Sequence, residues 1–450
     1  MAPLFLAGLA ALLLGQHRTN YQRIVAHPNP ANGYEDYVRA SDIVHNDDLS
    51  LLLNWTPQQY DQMVQRKKET LAAPDTAPIK PWDDNDERLL AFAKRLHALD
   101  YLEVQKMAAH DFGGAIDLVR TGNLKQVWDP RDRLDAESIF PELADFKSVA
   151  KLVKADAYAR FASGDSNAGT RDLIAGLIFS RRIAGGSLIS ELVSIACQAI
   201  LYGSFEERLP QLTEKDAESI VNFADSALAE PPSYLQALRQ EATLAINSLD
   251  LLFKESGAKD DFEATSDNPI FAYVNKMSPG EKQRANDLLT REIASYYNNL
   301  LRDMGSDEAN WATVRDDSGM PPAPATITSL QDLADAVINM MTPIHSQATR
   351  AVLRARTQLR LLDLHARIIR FRWHNNRLPK DLKEVAPEKL IADPVAKMAF
   401  VYELKDDGYR LYSKGLDSTG PIELKYRRPP NLPGQDDGPI PPLTSLFGSP

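Results

Sequence analysis

Apolar residues over most of this chain recur at intervals of three and four positions, the spacing that places side chains on one face of an α-helix. Leu89 to Leu99, Leu173 to Ile178 and Leu188 to Leu201 show the pattern most clearly. Helix starts are also visible, because Thr56-Pro57 and Ser278-Pro279 each place a capping hydroxyl before a proline at the first helical position. Strand-like alternation is nearly absent from this region. The pattern predicts a mainly α protein built around an irregular helical bundle.

One helical hairpin can be located around Gly164-Asp165. The runs from Ala155 to Ala162 and from Ala168 to Leu173 flank this dipeptide, which predicts two antiparallel helices joined at a Gly-Asp turn. The pair resembles a single tetratricopeptide-like unit. A second copy at a period of about 34 residues is missing, and a solenoid needs at least three repeats to bury its faces. We therefore expect a bundle and not a repeat array.

A long helix is predicted from Ile344 to about His374, roughly 46 Å at 1.5 Å per residue, with Pro343 interrupting an earlier helical pattern that starts near Ser329. Its apolar residues form two stripes on nearly opposite sides, and a polar, arginine-rich stripe runs between them. The first stripe is Val352, Ala355, Leu359, Leu362, Ala366, Ile369 and Trp373; the second is Leu361, Leu364, Ile368 and Phe371; the polar stripe is Arg356, Arg360, Asp363, Arg367, Arg370 and His374. Because both apolar faces must be covered, we predict that this helix lies between the helical body and a small C-terminal sheet. The arginines are expected in solvent or paired with acidic residues of the body.

A β-hairpin is predicted near the C-terminus, after a short helix from Leu378 to Val385. An Asp-Gly turn, Asp407-Gly408, lies between the apolar and aromatic runs Ala399 to Leu404 and Gly408 to Ser413, and this is a strong hairpin signal. Residues 427–450 contain seven prolines and three glycines, which predicts a Pro-rich disordered tail.

The stretch from the long helix through Asp417 resembles the C-terminal globular domain of the type II secretion major pseudopilin, in which a long helix packs on a small antiparallel sheet. Pro379 matches the turn after the helix, Asp393-Pro394 matches an Asp-Pro dipeptide, and Ser413, Gly415 and Asp417 match the Ser-x-Gly-x-Asp close. The chain departs from the family in having no acidic pair after the close for calcium, no prepilin cleavage pattern, and Asn376 where glycine is usual. The resemblance implies an envelope location and a module, without implying an activity.

Composition narrows the classes of partner. The formal net charge of -11 argues against nucleic acid, because phosphate binding needs clustered lysine and arginine. Cys197 is the single cysteine, so an intrachain disulfide and a cysteine-based zinc site are both excluded. Its apolar neighbours predict a buried structural thiol.

The N-terminal residues Met1 to Gly15 are apolar without interruption, which predicts a membrane anchor or a signal segment. A buried N-terminal core helix is the alternative. The Pro-, Asn- and Gly-containing stretch Ala26 to Tyr34 is typical of a linker, and nothing comparably apolar is seen later, so one anchor and an extracytoplasmic body are expected. Arg18 and Arg23 oppose this orientation, since basic residues tend to stay cytoplasmic.

Familiar catalytic and nucleotide-binding motifs are missing from the sequence. His97 and His110 could bring two metal ligands together, but single histidines on helices more often lie on the surface. The Ser166 hydroxyl follows Gly164-Asp165 at a turn between helices and not after a strand. Acidic groups such as Asp83-Asp84 and Asp47-Asp48 are better explained as helix starts. We therefore assign no catalytic, cofactor-binding or metal residues.

These patterns divide the chain into five segments. They are the anchor or signal segment with its linker (1–33), the helical body (34–315), a Pro-containing linker with a short helix (316–343), the long helix with the pseudopilin-like hairpin module (344–426) and the tail (427–450). The expected function is that of a non-enzymatic, membrane-anchored envelope protein that serves as an interaction or assembly scaffold for other envelope proteins. An extracytoplasmic hydrolase with a site inside the helical body is the alternative. The first predicts a shallow apolar or arginine-lined surface, and the second predicts a pocket with convergent polar groups and shifted pKa values.

Overall fold

A computed structural model describes residues 22, 24–72, 80–128, 141–254, 269–305, 307–311, 326–405, 408–415 and 420–426. The protein is mainly helical, with small antiparallel sheets near the C-terminus. The helices of the bundle are α1 (Gly33–Val44), α2 (Asp47–Leu53), α3 (Pro57–Ala72), α4 (Asp84–Leu96), α5 (Tyr101–Asp111), α6 (Gly113–Asn123), α7 (Pro141–Ala162), α8 (Ser166–Arg182), α9 (Leu188–Arg208), α10 (Glu214–Ala229), α11 (Ser233–Lys254), α12 (Pro269–Val274), α13 (Pro279–Met304) and α14 (Glu308–Trp311). They are followed by α15 (Leu330–Asn375), α16 (Glu388–Ile391), β1 (Ala392–Asp393), β2 (Met398–Ala399), β3 (Val401–Lys405), β4 (Gly408–Ser413) and β5 (Ile422–Glu423), with short 3-10 helices at Leu209–Gln211 and Leu382–Glu384.

The helix starts read from the sequence are confirmed. α3 begins at Pro57 and α13 at Pro279. The Ser278 side chain accepts from the Glu281 amide, and the Glu281 carboxylate accepts from the Ser278 amide at 2.8 Å, which completes a capping box. The acidic residue Asp83 forms the same arrangement before α4. These local contacts supply the amide partners that a helix cannot provide at its own first turn.

The predicted helical hairpin is also confirmed as α7 and α8, which pack along each other. Gly164 lies between them with φ at 86°, a conformation that favours glycine because it has no Cβ. The Asp165 side chain then accepts from the Ala168 amide at 2.9 Å and caps α8.

The segment expected to be a stalk belongs to the folded body. Asn32 is fully buried, and its Nδ2 donates to the Trp128 carbonyl at 2.9 Å. The Gly33 amide donates to the Gln126 carbonyl at 2.8 Å, and Ile24 is buried in the N-terminal core. Pro, Asn and Gly residues here build a tight packed turn before α1 and not a spacer, since their backbone groups find partners across the fold.

The prediction that Pro343 separates two helices is wrong, because α15 runs without a break from Leu330 to Asn375. An internal proline removes one backbone hydrogen bond and costs about 3 kcal/mol. Val337 before it and Val352 after it are buried in the same hydrophobic cluster, together with Leu289 and Ile293 of α13. Burial on both sides of the proline therefore offsets the cost of keeping the helix continuous.

The two-sided covering of α15 is confirmed. On one side it packs against α9, α10 and α13, and on the other against β4 and β5. One hydrophobic cluster contains Leu362 and Ile368 of α15 together with Ile220 of α10 and Leu411 of β4. The helix is thus the shared wall between the body and the sheet.

Ion pairs take up much of the polar stripe of α15. Arg356 and Arg360 both pair with Glu308 of α14. Arg367 pairs with Asp363 on its own helix and with Asp225 of α10. The expectation that these arginines meet acidic residues of the body is confirmed for these three.

The C-terminal hairpin is confirmed, with β3 and β4 antiparallel and Lys405 opposite Gly408; β5 adds to β4, and β1 pairs with β2. The predicted helix from Leu378 to Val385 is wrong, since only the 3-10 helix Leu382–Glu384 forms there. Pro379 is the second residue of the segment and Pro387 follows its end, and the residue before a proline is disfavoured in the α conformation.

Several predictions fall outside the described residues. These are the apolar segment 1–15, the prolines of the linker at positions 321, 322 and 324, the turn residues 406 and 407, Asp417 with positions 418 and 419, where the acidic pair of the pseudopilin family is missing, and the tail 427–450.

Candidate functional site

A small pocket lies where α8, α9, α11 and α15 come together. Its cavity volume is about 60 Å³. The exposed residues Glu230 and Pro231 lie at its rim, whereas Glu191, Gln198 and Arg356 are buried at its floor. The pocket therefore combines an opening to solvent with a polar, desolvated interior.

The local sequence explains how this pocket is built. Gly185, with φ at 85°, turns the chain after α8, and the Ser187 side chain caps α9. Glu191 thereby lies near the first turn of α9, where the helix dipole favours a carboxylate. Pro231-Pro232 separates α10 from α11 and brings Ser233 to the mouth of the pocket.

Glu191 is a buried carboxyl of the pocket with a strongly raised pKa. Its side chain is buried, and its Oε1 accepts from the Ser233 hydroxyl at 3.1 Å. Burial raises the pKa of Glu191 to about 7, against the opposing effects of Ser233, the Gly185 amide and the nearby charges of Arg181 and Arg356. Within the described ranges, the second oxygen, Oε2, has no hydrogen-bond partner. This leaves an unused acceptor in a desolvated place, which is costly.

Two arginines line the same pocket. The Arg181 Nη2 donates to the Ala227 carbonyl at 2.7 Å and to Glu230 Oε2 at 3.0 Å. Arg356 donates from Nε to Glu308 Oε1, and burial lowers its pKa. This contact with Glu308 uses Nε and leaves the terminal Nη atoms of Arg356 outside it. The pocket therefore holds donors as well as an unused acceptor.

A closed aromatic cluster borders the pocket behind Tyr234. The Tyr234 hydroxyl contacts the His345 carbonyl at 3.1 Å and Thr349 Oγ1 at 2.9 Å. His345 Nδ1 lies 3.0 Å from the Tyr296 hydroxyl, and its Nε2 lies 3.1 Å from the Tyr297 hydroxyl. Burial lowers the pKa of His345 to about 4, so the imidazole is neutral near pH 7. This network fixes one wall of the pocket.

The two histidines considered for a metal site do not meet. His97 stacks against Tyr60 with ring centroids 5.0 Å apart, whereas the exposed His110 contacts Asp111 at 3.0 Å. In the described part of the chain, no three His, Cys, Asp or Glu side chains lie close enough together to hold a metal ion. The Ser166 hydroxyl donates to Asp216 Oδ2 at 2.7 Å and has a structural role at the start of α8.

Cys197 is buried, as predicted, and burial raises the pKa of its thiol to about 12. Asp83 caps α4, and Asp47 and Asp48 occupy the first turn of α2, as expected for helix starts.

Sequence reasoning missed Glu191, Ser233 and Arg356 as one site. Glu191 and Ser233 are 42 positions apart, and Arg356 comes from a third region of the chain. No short motif joins them. The sequence held one signal. Glu191 lies inside the apolar run from Leu188 to Leu201, and burying a charged side chain is costly unless it is paired or hydrogen-bonded.

α9 has a second notable feature, an apolar strip on its solvent side. Ile189 and Leu192 are 49% and 37% exposed. Ala196, Ala199 and Gly203 follow at steps of four, three and four, and they are at least partly exposed. A Cβ added at Gly203 would meet no atom within 4 Å. We call Ile189, Leu192, Ala196, Ala199 and Gly203 the α9 outer face.

One later segment bears on the expectation of a single anchor. In the described residues, one segment, Leu188–Gln211, is long and apolar enough to cross a membrane. More than half of it is buried inside the protein, against α7, α8, α11 and α15. A soluble core helix passes the same test, and its packing here accounts for its composition.

In comparisons with known proteins, no family model matches this chain, and neither does any curated protein or solved structure.

Proposed function

We propose that this protein is a non-enzymatic, membrane-anchored protein of the cell envelope that binds other envelope proteins. The observation that carries the proposal is the α9 outer face, an apolar strip on an otherwise packed helix. Anchoring is assigned to the apolar segment from Met1 to Gly15.

The spacing of the α9 outer face fits a helix of a partner protein. Steps of three and four keep the strip on one side of α9 over about four turns, as in helix-in-groove recognition. Ala196, Ala199 and Gly203 are small, so a second backbone can approach closely there. Covering the exposed parts of Ile189 and Leu192 would contribute roughly 1–2 kcal/mol. The strip therefore supports specific but moderate binding.

The C-terminal region supports the envelope assignment in a second way. α15 packs on β4 and β5 of the antiparallel sheet, the arrangement expected of a pseudopilin-like module. We propose that this module, like the α9 outer face, serves assembly with other envelope proteins.

The hydrolase alternative has one observation in its favour. Glu191 has a pKa near neutrality, as a general base requires. Its pocket, at about 60 Å³, is far smaller than the roughly 300–1,000 Å³ of typical ligand sites. An enzyme here would be limited to a very small substrate, so the interaction function is the better supported one.

Site-specific photo-crosslinking in native envelopes tests the proposal. A photoreactive residue replaces Leu192 in the full chain, and a matched variant carries it at Leu404, an exposed leucine of β3. We expect one discrete crosslinked protein from position 192, and its loss when Ile189→Glu is added. Equal products from both positions, or none from position 192, would contradict the assignment of the α9 outer face.

Soluble-fraction recovery tests the anchor separately. The full chain should sediment with membranes and resist extraction by carbonate, whereas a chain that starts at residue 22 should be soluble. Recovery of both chains in the soluble fraction would remove the membrane part of the proposal while leaving the partner surface testable.

A further inference from the structure

We propose that the pocket at Glu191 binds a small zwitterion, an α-amino acid of the size of glycine or alanine. Its ammonium group would contact Glu191, and its carboxylate would contact Arg356. This inference goes beyond the proposed interaction function and does not depend on it.

The acceptor side of the site is Glu191 Oε2. The glutamate is only 4% exposed, and it lines the cavity. Its Oε1 is held by Ser233, so the carboxylate is already oriented before any ligand arrives. Oε2 has no partner in the described chain, and a buried carboxylate oxygen without a donor is a strong site for an N–H group.

The donor side of the site is the guanidinium group of Arg356. This residue is 8% exposed, and Nε is committed to Glu308. The contact with Glu308 does not use the Nη atoms, and Arg356 lines the cavity. The two terminal nitrogens of a planar guanidinium match the two oxygens of a carboxylate.

The charge pattern selects a ligand with both signs. A simple cation at Glu191 would be repelled by Arg181 and Arg356, whose charges act on this carboxyl. Above about pH 7, where Glu191 is ionised, a simple anion at Arg356 would be repelled by the Glu191 carboxylate. A zwitterion places its ammonium group toward Glu191 and its carboxylate toward Arg356, so each charge meets its opposite. The mixed lining is therefore complementary to an amino acid.

Size and apolar contacts narrow the ligand further. A water molecule needs roughly 10–15 Å³ of such a cavity, so about 60 Å³ holds on the order of four or five heavy atoms. That is the size of glycine and close to that of alanine. Ile195, Val352 and Ala355 supply an apolar wall for the α-carbon and a methyl group. A longer side chain would have to leave through the rim at Pro231.

Calorimetric titration of the purified full chain in mild detergent tests the proposal, with glycine and L-alanine as probes. Acetate carries only the carboxylate, methylammonium carries only the cation, and L-leucine is too large. We expect a saturable signal at about one site per chain for glycine and L-alanine, with dissociation constants below about 10 mM. Acetate, methylammonium and leucine should each bind at least tenfold more weakly.

Glu191→Gln should weaken glycine binding at least tenfold, because an amide removes the charge that meets the ammonium group. Glu241→Gln is the matched control, since Glu241 is partly buried, accepts from the Leu188 amide and does not line the pocket. Binding of acetate as strong as glycine, no saturable glycine signal, or unchanged affinity in Glu191→Gln would each overturn the proposal. If Glu191→Gln does not fold, the ranking of the five probes on the wild-type chain decides the question alone.

Discussion

Replacing Glu191 with glutamine should change how the stability of this protein depends on pH. Burial raises the pKa of this carboxyl from 4.5 to about 7. Between these values the folded chain keeps a proton that the unfolded chain has lost. The contribution of Glu191 to stability is therefore complete below about pH 4.5, and it is lost as the pH rises through about 7.

The magnitude follows from the size of the shift. One pKa unit corresponds to 1.36 kcal/mol, so a shift from 4.5 to about 7 corresponds to roughly 3 kcal/mol. Glutamine does not titrate and retains the shape of the side chain. The difference in unfolding free energy, Glu191→Gln minus wild type, should therefore increase by roughly 3 kcal/mol as the pH rises from about 4.5 to about 8.

Urea unfolding followed by circular dichroism at a series of pH values measures this difference. Other buried groups, such as Asp363 and His345, titrate in both proteins and cancel when the two curves are subtracted. Glu218→Gln, on the exposed side of α10, is the control for a glutamate-to-glutamine substitution outside the pocket. A difference for Glu191→Gln that is independent of pH would refute the reasoning, because it would mean that the carboxyl is not desolvated in the folded chain.

Two further predictions concern packing. Leu362→Ala removes a fully buried side chain where α15 separates the body from the sheet. It should lower the unfolding free energy, measured by urea unfolding, by about 2–5 kcal/mol. The control Leu404→Ala, on the exposed side of β3, should change it by less than about 1 kcal/mol. Gly169→Ala places a Cβ 2.8 Å from the ring of Phe161 where α7 and α8 meet, and it should lower the melting temperature, while Gly203→Ala meets open space in α9 and should leave it unchanged or raise it slightly. An unchanged melting temperature for Gly169→Ala would contradict this prediction and would show that the contact is relieved without cost.

Much of the architecture was predictable because its causes are local. Ser278 and Glu281 belong to one turn, so their capping box can be read directly. The two apolar stripes of α15 could only be satisfied by layers on both sides, and this gave the position of the helix correctly. The prediction at Pro343 was wrong because it counted only the local cost of a proline in a helix. Burial against residues far away in the sequence outweighs that cost, and such contacts cannot be read from the local pattern.

The pocket could not be predicted, for a related reason. Glu191, Ser233 and Arg356 lie on three helices that meet only through tertiary packing. Each residue taken alone is ordinary for a helix surface. What distinguishes them is burial and unused hydrogen-bonding capacity, and both are properties of the folded chain.

The continuity of α15 has a consequence for the order in which this protein is made. Its first half is packed in the cluster around Tyr297 of α13, and its second half is packed between α10 and the sheet. Tyr234 depends on the His345 carbonyl 111 positions later, and the Leu212 carbonyl accepts from Trp373 161 positions later. A nascent chain that ends before residue 330 thus has apolar faces on α9 to α13 with nothing to cover them. The body is completed only when the last long helix leaves the ribosome, and a cut at residue 344 would divide a folding unit and not release a domain.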